Sequence, residues 1–489
     1  MRKSKRFVAG LLAVACCFSV VGCGKDGDGK KTTTTAFVGK EDIKVTTPAP
    51  SDESDPDALT ITGIPDGAEK ELEWLSYFDI NPAKGSAEKR ADLQLFEAYG
   101  GKIKWNRAAP LNKYDKLAEA VLAGKYPDMF WFEQKMSFPC NVVQGMFQPI
   151  DELVDFDNAL WSDVKDASET FAINGKHYVA PISFEVQSVL TYDQKNIDTY
   201  GLEDPYQLYL EGEWDWNAFE DIMREWVALG DEETAYYGTN GWLHSHIFHS
   251  TGKSLIEYDA EKQEYYSNVD DADLERAANY LYNLSKDNII LTEWKGQASD
   301  AFQSNVLFYS MGVWASIDTH TPQEGDDWRV VPIPKDPNAD DYYMSVSPVA
   351  YMWVKGSEKA DAMKCWLECA RIVYVQDEYK QAQKDKFFLN NPNFNEDAYT
   401  LVYDELISDK FNRVYDVGYG ISTDLSNDDA AANASKEAII SYMYSSVSKA
   451  DEETGTQFSW AQLKGAYEGT IDSELKTFNA AFKEFLANN

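Results

Sequence analysis

The chain has 489 residues, of which 82 are acidic and 45 are basic, so its formal net charge at pH 7 is −37. Hydrophobic residues make up 44% of the chain and aromatic residues 14%, which excludes an acidic disordered protein because such chains lack apolar surface. The negative balance, with no basic cluster after the first six residues, argues against nucleic-acid binding and disfavours anionic substrates. At about 100–200 residues per domain, the length predicts two or three domains.

Residues 1–22 have the organisation of an export signal. Basic residues within 2–6 precede the apolar stretch 7–21, which is too short to span a bilayer comfortably. The stretch ends in Gly22-Cys23, which resembles a bacterial lipobox, and we therefore predict that Cys23 is diacylated and becomes the mature N-terminus. An ordinary signal peptide that contains cysteines is the alternative. Residues 24–59 are rich in Gly, Lys, Thr, Pro and acidic side chains and are predicted to be a flexible tether.

Three further cysteines, Cys140, Cys365 and Cys369, follow the predicted anchor. An odd number does not suit a disulfide framework. Cys365 and Cys369 are four residues apart on a predicted helix, where two side chains are neighbours but are badly placed for a disulfide. We interpret all three as structural thiols, with a redox or metal role as the alternative.

From residue 71 onwards, strands and helices alternate. In the predicted helix 111–124, apolar residues recur at the i, i+3, i+4, i+7 spacing of one buried stripe. The first elements are a strand at 71–78, a helix at 85–99, a strand at 101–106, a helix at 111–124 and a short apolar strand at 127–132. This βαβαβ order predicts a doubly wound α/β lobe.

A second α/β region follows the first. A Ser459/Gln462 capping box begins the terminal helix. The predicted elements are helices at 214–229 and 271–286, a segment 300–310 that runs into a strand at 306–316, a strand at 349–354, a helix from 357 and a helix at 459–487. The pattern indicates a second lobe of the same class.

Motifs spread over nearly the whole mature length resemble those of extracellular solute-binding lipoproteins of carbohydrate-type ABC importers, of the family 1-like kind. In chain order they are LAEAVLAG (117–124) with YPDM (126–129), GMFQPIDEL (145–153), NGKHYVAP (174–181), YDQK (192–195), WDWNAF (214–219), AFQS (301–304) and MGVW (311–314). The sequence departs from the family pattern at Asn305 and Phe308, where glycine and alanine are usual, and the chain is longer than typical members. We expect these departures to affect the ligand and the C-terminal region more than the fold.

The resemblance implies a two-lobed α/β fold like that of periplasmic binding proteins. Each lobe would be a doubly wound sheet flanked by helices, and a multi-strand hinge would join the lobes. The expected boundaries are residues 60–184 with about 345–400 for the first lobe, and 185–344 with about 401–489 for the second.

The resemblance also implies a function. The protein would be a monomeric receptor on the outer face of the cell membrane, held only by its lipid anchor, as Gram-positive-type lipoproteins are. It would capture an oligosaccharide or another sugar between the lobes and deliver it to ABC permease subunits. No catalysis, cofactor, metal or nucleic acid is expected.

The candidate binding residues lie at predicted strand ends. Sugar sites combine aromatic platforms with planar polar side chains, and two-lobed proteins bind ligands at the carboxyl ends of parallel strands. By resemblance, Glu185 corresponds to a cleft carboxylate, and Trp242 and Trp314 to aromatic stacking positions. The alternatives are core packing for the aromatic residues, hinge packing for Glu185 and simple solvation for the polar ones. The full set is Tyr77, Asp79, Trp131, Phe132, Glu133, Glu185, Trp242, Trp314, Asp416 and Tyr419.

Enzyme classes find less support in the sequence. His244, His246 and His249 form a cluster, but no glutamate stands in an H-E-x-x-H arrangement and no cysteine lies nearby. A glycosidase needs two carboxylates at a fixed separation, which so acidic a sequence cannot specify. A surface-anchored glycoside hydrolase and a glycan-binding lipoprotein without a transporter remain the alternatives. A peptide or polyol ligand is also left open.

Overall fold

The computed structural model describes residues 59–82, 89–317, 320–426, 438–449 and 457–489. The predicted signal, Cys23 and nearly all of the predicted tether lie outside these residues. Among the described residues, no helix combines the length and the hydropathy required to cross a bilayer.

The strands lie mostly in two mixed sheets. They are β1 (Glu71–Ser76), β2 (Lys102–Arg107), β3 (Met129–Trp131), β4 (Ala172–Ile173), β5 (Lys176–His177), β6 (Ala180–Val186), β7 (Val189–Asp193), β8 (Tyr237–Gly241), β9 (Ile256–Asp259), β10 (Glu264–Ser267), β11 (Val306–Met311), β12 (Trp328–Val331), β13 (Tyr343–Trp353) and β14 (Asn412–Val414).

Helices flank the sheets. They are α1 (Ala91–Ala98), α2 (Lys113–Leu122), α3 (Cys140–Val143), α4 (Lys165–Thr170), α5 (Gln194–Tyr200), α6 (Pro205–Glu211), α7 (Trp216–Val227), α8 (His244–His249), α9 (Ala272–Lys286), α10 (Ala298–Gln303), α11 (Ala360–Val375), α12 (Asp377–Asn390), α13 (Glu396–Thr400), α14 (Thr423–Ser426), α15 (Ile439–Ser445) and α16 (Trp460–Asn488).

The first lobe contains the predicted βαβαβ unit. Strand β1 pairs in parallel with β2 on one side and with β3 on the other, and α1 and α2 form the connections. Leu72, Trp74 and Leu75 of β1 are fully buried, as a central parallel strand requires. The hairpin of β4 and β5 turns at Asn174-Gly175, where both residues have positive φ, and leads into β6.

Strand β13 makes this sheet mixed. It is longer than the predicted strand at 349–354 and runs antiparallel to β3 and β6 and parallel to β14. Pro348 was expected to precede the strand but lies inside it, opposite Phe184, next to a register shift between Val349 and Ala350. Such an irregularity accommodates a residue that has no backbone N–H to donate.

The second sheet has the strand order β12-β7-β11-β8. Strands β8 and β11 are parallel, whereas β7 is antiparallel to both β11 and β12. The predicted strand at 306–316 ends at Met311, because the chain turns at Gly312 into the 3-10 turn Val313–Ser316.

Three predicted helices of the second lobe are present and begin within two residues of the predicted starts. Asp215 begins α7 by accepting backbone N–H groups of Asn217 and Ala218, and Asp271 does the same for α9. At the start of α16, Gln462 Oε1 accepts the backbone N–H of Ser459 at 2.9 Å.

Within the residues that the structure describes, the chain passes between the sheets three times. Gln187 and Ser188 connect β6 in the first sheet to β7 in the second, and a second connection joins β12 to β13. After β14 the chain leaves the first sheet again, and α15 and α16 pack on α8, α9 and β10. The fold is therefore the predicted two-lobed α/β architecture, whereas the residue boundaries of the lobes stay a prediction.

The helical segment after α12 packs against the first of these connections. Tyr399 and Leu401 share a core with Val186 and Val189, which flank the connection, and with Val313 of the 3-10 turn. This segment therefore covers the connection between β6 and β7.

The two departures from the family pattern lie in a turn and in the core, so the expectation that they affect the ligand is not supported. Asn305 has φ +56, a conformation that asparagine tolerates better than other non-glycine residues, and its Nδ2 donates to the Ala235 carbonyl at 3.1 Å. Phe308 is fully buried and packs on Trp214 and Phe219.

The three cysteines of the folded body are buried and free. Burial raises the pKa of the Cys140 thiol to about 11, and it raises the pKa of Cys369 as well. Thiols that stay protonated are poor nucleophiles, which agrees with the predicted structural role.

Candidate functional site

The second lobe places two predicted aromatic residues at one edge of its sheet. Strands β8 and β11 are parallel neighbours, so Trp242 after β8 and Trp314 after β11 start from the same edge. Gly241, the last residue of β8, has φ +102, and a Cβ there would lie 2.1 Å from the Ser310 carbonyl oxygen. Only glycine permits this approach, in which the Trp242 backbone N–H donates to the same oxygen at 2.6 Å.

Gly312 determines the position of the Trp314 indole. A Cβ on Gly312 would lie 2.3 Å from Nε1 and 2.6 Å from Cδ1 of Trp314. The indole therefore folds back over the glycine, and the Gly-Val-Trp order of the motif has a steric reason.

Three tryptophans form a cluster at this edge, which we call the tryptophan cluster: Trp242, Trp294 and Trp314. The rings of Trp242 and Trp314 have centroids 5.8 Å apart at 64°, and those of Trp242 and Trp294 are stacked at 6.0 Å and 26°. Trp242 is 36% exposed and Trp294 53% exposed. The sequence motifs did not point to Trp294, whose only signal is an isolated tryptophan in a polar loop.

In the first lobe, the corresponding edge carries an ion pair. Strands β1 and β3 are parallel, Tyr77 follows β1, and Glu133 lies just beyond β3. Lys113, the first residue of α2, places Nζ 3.0 Å from Glu133 Oε2, 5.8 Å from the ring centroid of Tyr77 and 4.7 Å from that of Tyr114. The Lys113 side chain is only 7% exposed. The structure thus brings Tyr77 and Glu133 together through a lysine that sequence reasoning missed.

Trp131 and Phe132 have different surroundings, although they are adjacent. Trp131 is half-buried and makes edge contacts with Phe78 and Tyr351 at 5.7 and 5.2 Å between ring centroids. Phe132 is 2% exposed and packs on Phe171 at 5.0 Å. The prediction that Phe132 contacts ligand is therefore not supported, because its ring belongs to the core.

Glu185 lies at the hinge. It is half-buried on β6, opposite Ser347 of β13. Ser188, three residues later and about 10 Å away at most along an extended chain, has its Oγ 2.9 Å from Ser310 Oγ. The Ser310 carbonyl oxygen in turn accepts the N–H of Trp242. Glu185 is therefore close to the backbone that carries the tryptophan cluster, and its contact with ligand stays a prediction.

Asp79 and Tyr419 both form hydrogen bonds within the protein. Asp79 is exposed, and its Oδ1 accepts both the backbone N–H and the side-chain amide of Asn81 at 3.0 and 2.8 Å. It forms a turn of its own, as solvated strand-end residues commonly do. Tyr419 is half-buried, with its hydroxyl 2.9 Å from Ser441 Oγ.

Asp416 is a structural residue, which corrects the prediction that it lies in the site. It is 3% exposed, and its Oδ1 accepts the Gly418 N–H at 3.1 Å. Its Oδ2 accepts the Tyr444 hydroxyl at 2.9 Å and lies 3.2 Å from His249 Nε2. A buried carboxylate needs such partners, and these three groups supply them.

The histidine cluster lies on α8, inside the second lobe. His244 Nδ1 is 2.6 Å from Ser448 Oγ, and the rings of His246 and His249 are 6.4 Å apart. Burial lowers the pKa of His244 to about 4 and that of His246 to about 3, so both are neutral at physiological pH. Within the described residues, no group of three or more His, Cys, Asp or Glu side chains is arranged to hold a metal ion.

Comparisons with known proteins agree with this fold. Residues 81–371, more than half of the chain, match the family model described as bacterial extracellular solute-binding protein. No curated protein sequence matches the chain.

Among solved structures, the chain is similar to three binding proteins. The galacto-N-biose-/lacto-N-biose I-binding protein of Bifidobacterium longum, in complex with lacto-N-biose, matches with a TM-score of 0.57 at 13% identity over 85% of this chain and 99% of that one. An ABC substrate-binding protein of Listeria monocytogenes, in complex with cycloalternan, matches with a TM-score of 0.55 at 16% identity over 82% of this chain and 97% of that one. UgpB of Mycobacterium tuberculosis, in complex with glycerophosphocholine, matches with a TM-score of 0.55 at 14% identity over 83% of this chain and 98% of that one.

These structural similarities show the two-lobed fold, and the match to the family model shows the family. The chain belongs to the bacterial extracellular solute-binding proteins.

Proposed function

We propose that the protein is an extracellular receptor that captures a sugar, most simply an oligosaccharide, between its two lobes and delivers it to the permease subunits of an ABC importer. The observation that carries the proposal is the tryptophan cluster at the strand-end edge of the second lobe. Indole faces match the C–H faces of sugar rings, and neutral polar groups match the hydroxyl edges. The membership in the solute-binding family supports a role in capture and delivery.

The first lobe supplies polar and charged groups for the same ligand. Glu133 and Tyr77 at the ends of β3 and β1, together with Lys113, combine an anionic acceptor, a hydroxyl and a cation. A neutral sugar presents both donors and acceptors and satisfies such a mixed set. Glu185 would contribute a further acceptor from the hinge.

Hinge closure would complete the site. Three connections join the lobes in the described part of the chain, and closure of two lobes around a ligand is an established motion for this architecture. We propose that the protein acts as a monomer, that lipidated Cys23 anchors it to the outer face of the membrane, and that it performs no catalysis. The anchor rests on the sequence at Gly22-Cys23 alone.

The test is a thermal-shift screen of the purified protein against mono-, di- and oligosaccharides. The screen should also include a glycerophosphodiester, since a structural relative is in complex with one. The proposal predicts that at least one sugar raises the melting temperature in a saturable manner and is recovered unchanged. Shifts with the glycerophosphodiester only would overturn the sugar assignment. Hydrolysed products would instead favour the glycoside hydrolase.

The transporter is tested separately. Uptake of the identified sugar by cells should require both this protein and a permease pair. Binding without any effect of its deletion on uptake would favour a surface glycan-binding lipoprotein.

A further inference from the structure

Trp294 is the most exposed large hydrophobic side chain of the tryptophan cluster, and neither the motifs nor the family resemblance points to it. It stands in the loop between α9 and α10, flanked by Glu293 and Lys295. Its indole stacks on Trp242 while 53% of the residue remains exposed to solvent. More than half of this residue is therefore available to contact a ligand.

The loop that carries Trp294 is hydrogen-bonded to strand β8. Asn240 Nδ2 donates to the carbonyl oxygens of Leu291 and Glu293 at 2.6 and 2.9 Å, and the Leu291 N–H donates to the Thr239 carbonyl at 2.9 Å. Asn240 is itself 3% exposed and lies two residues before Trp242. The same short segment of β8 thus determines the positions of both stacked tryptophans.

The three rings are arranged in sequence from the interior outwards. Trp314 is half-buried over Gly312, Trp242 contacts both of its neighbours, and Trp294 is the most exposed. Because Trp242 lies between the other two, a ligand that touches both Trp314 and Trp294 must extend past the width of one indole. A single sugar ring is comparable in size to one indole and does not reach that far.

We propose that Trp294 is the outer aromatic contact of the site and makes it selective for oligosaccharides over monosaccharides. This inference rests on the proposed sugar-binding function. Trp314 and Trp242 contact the inner part of the ligand, and Trp294 stacks only on sugar units of the longer chains. Length selectivity then arises because each additional stacked ring adds binding free energy that a monosaccharide cannot gain.

The test compares Trp294→Ala and Trp314→Ala by calorimetric titration with a ladder of mono- to tetrasaccharides of the sugar that the wild-type protein binds. We expect Trp294→Ala to weaken binding of the longest ligands about 5- to 10-fold, as one aromatic contact implies, and to change the affinity for the shortest bound ligand less than about 2-fold. Trp314→Ala should weaken binding of all lengths. Trp294→Phe should retain part of the length dependence.

Tyr266→Ala is the matched control, since Tyr266 is an exposed aromatic residue on β10 with 37% exposure. It should leave all affinities unchanged. Thermal melts of the unliganded variants show whether each is folded.

Three results would overturn the inference while the sugar-binding function stands: equal losses at every chain length in Trp294→Ala, no loss at any length, or a wild-type protein that binds monosaccharides as tightly as longer chains. A wild-type protein that binds no sugar is a different result, because it refutes the proposed function and the inference with it.

Discussion

Replacement of Gly312 by alanine should disturb ligand binding through Trp314 alone. Gly312 has φ −61 and ψ 151, an extended conformation that alanine adopts without strain. The added methyl group would lie 2.3 Å from Trp314 Nε1, far inside van der Waals contact. Because the atoms it meets belong to a side chain, the indole must rotate away.

The expected losses of stability and affinity follow from the aromatic contact that rotation of the Trp314 indole removes. Trp314 would lose its edge contact with Trp242, and aromatic pairs of this kind contribute about 0.5–1.5 kcal/mol beyond the area that they bury. We expect Gly312→Ala to lower the free energy of unfolding by about 1 kcal/mol and to weaken binding of the cognate sugar about tenfold. Urea denaturation and calorimetric titration measure the two effects.

A double-mutant cycle separates this mechanism from a backbone effect. In a Trp314→Ala background the clash is absent, so Gly312→Ala should change stability and affinity by less than about 0.5 kcal/mol. Gly469→Ala is the control, because Gly469 is an exposed position of α16 where a Cβ meets no atom within 4 Å; it should stabilise the protein slightly. Equal effects of Gly312→Ala in both backgrounds would refute the reasoning.

Three further predictions follow from buried or strained groups. Lys113→Met removes the cation that pairs with the Glu133 carboxylate and should lower the free energy of unfolding, measured in urea, by about 3 kcal/mol. The double variant Lys113→Met/Glu133→Gln should recover part of this loss. No recovery would contradict the ion-pair explanation. Asn305→Ala should cost about 1 kcal/mol because φ is +56, whereas Asn305→Gly should be nearly neutral; equal losses would contradict the backbone argument. Because burial lowers the pKa of His246 from 6.5 to about 3, only the unfolded state binds a proton there as the pH falls below 6.5; stability is full above that pH and declines towards pH 3. His246→Gln should flatten this decline in urea titrations between pH 7 and pH 4, and an unchanged pH dependence would contradict it.

The regular elements could be predicted because their signals are local. The apolar runs of β1 and β3 follow from local patterning, and the structure places them as expected. The stripe of α2 is confirmed only in part, because Leu117 is buried whereas Leu122 is 83% exposed. Strand β13 was predicted too short because Pro348 resembles a strand boundary, and only pairing with β6 shows that the chain continues through it.

The site was predicted only in part, because its members come from distant segments. Trp242 and Trp314 were identified by their resemblance to family positions, and only the structure shows that both follow parallel strands of one sheet. Trp294 stands in a loop whose position depends on bonds to Asn240, and no spacing in the sequence reports those bonds.

The contacts of the first-lobe candidates could not be predicted from the sequence either. Lys113 reaches Glu133 only after the β-α-β unit has folded, since the two lie on different elements. Phe132 and Asp416 were included for their positions along the chain, which do not show that both side chains are buried. Burial against Phe171 and bonding to Tyr444 decide those two cases.

The most direct test of the central claim, that a sugar binds against the tryptophan cluster between the lobes, is a calorimetric titration of the best-binding glycan into wild-type protein and Trp242→Ala. We expect saturable one-to-one binding by the wild type and a loss of affinity of at least about tenfold in the variant, since Trp242 contacts both other rings of the cluster. Undiminished affinity in Trp242→Ala would contradict it.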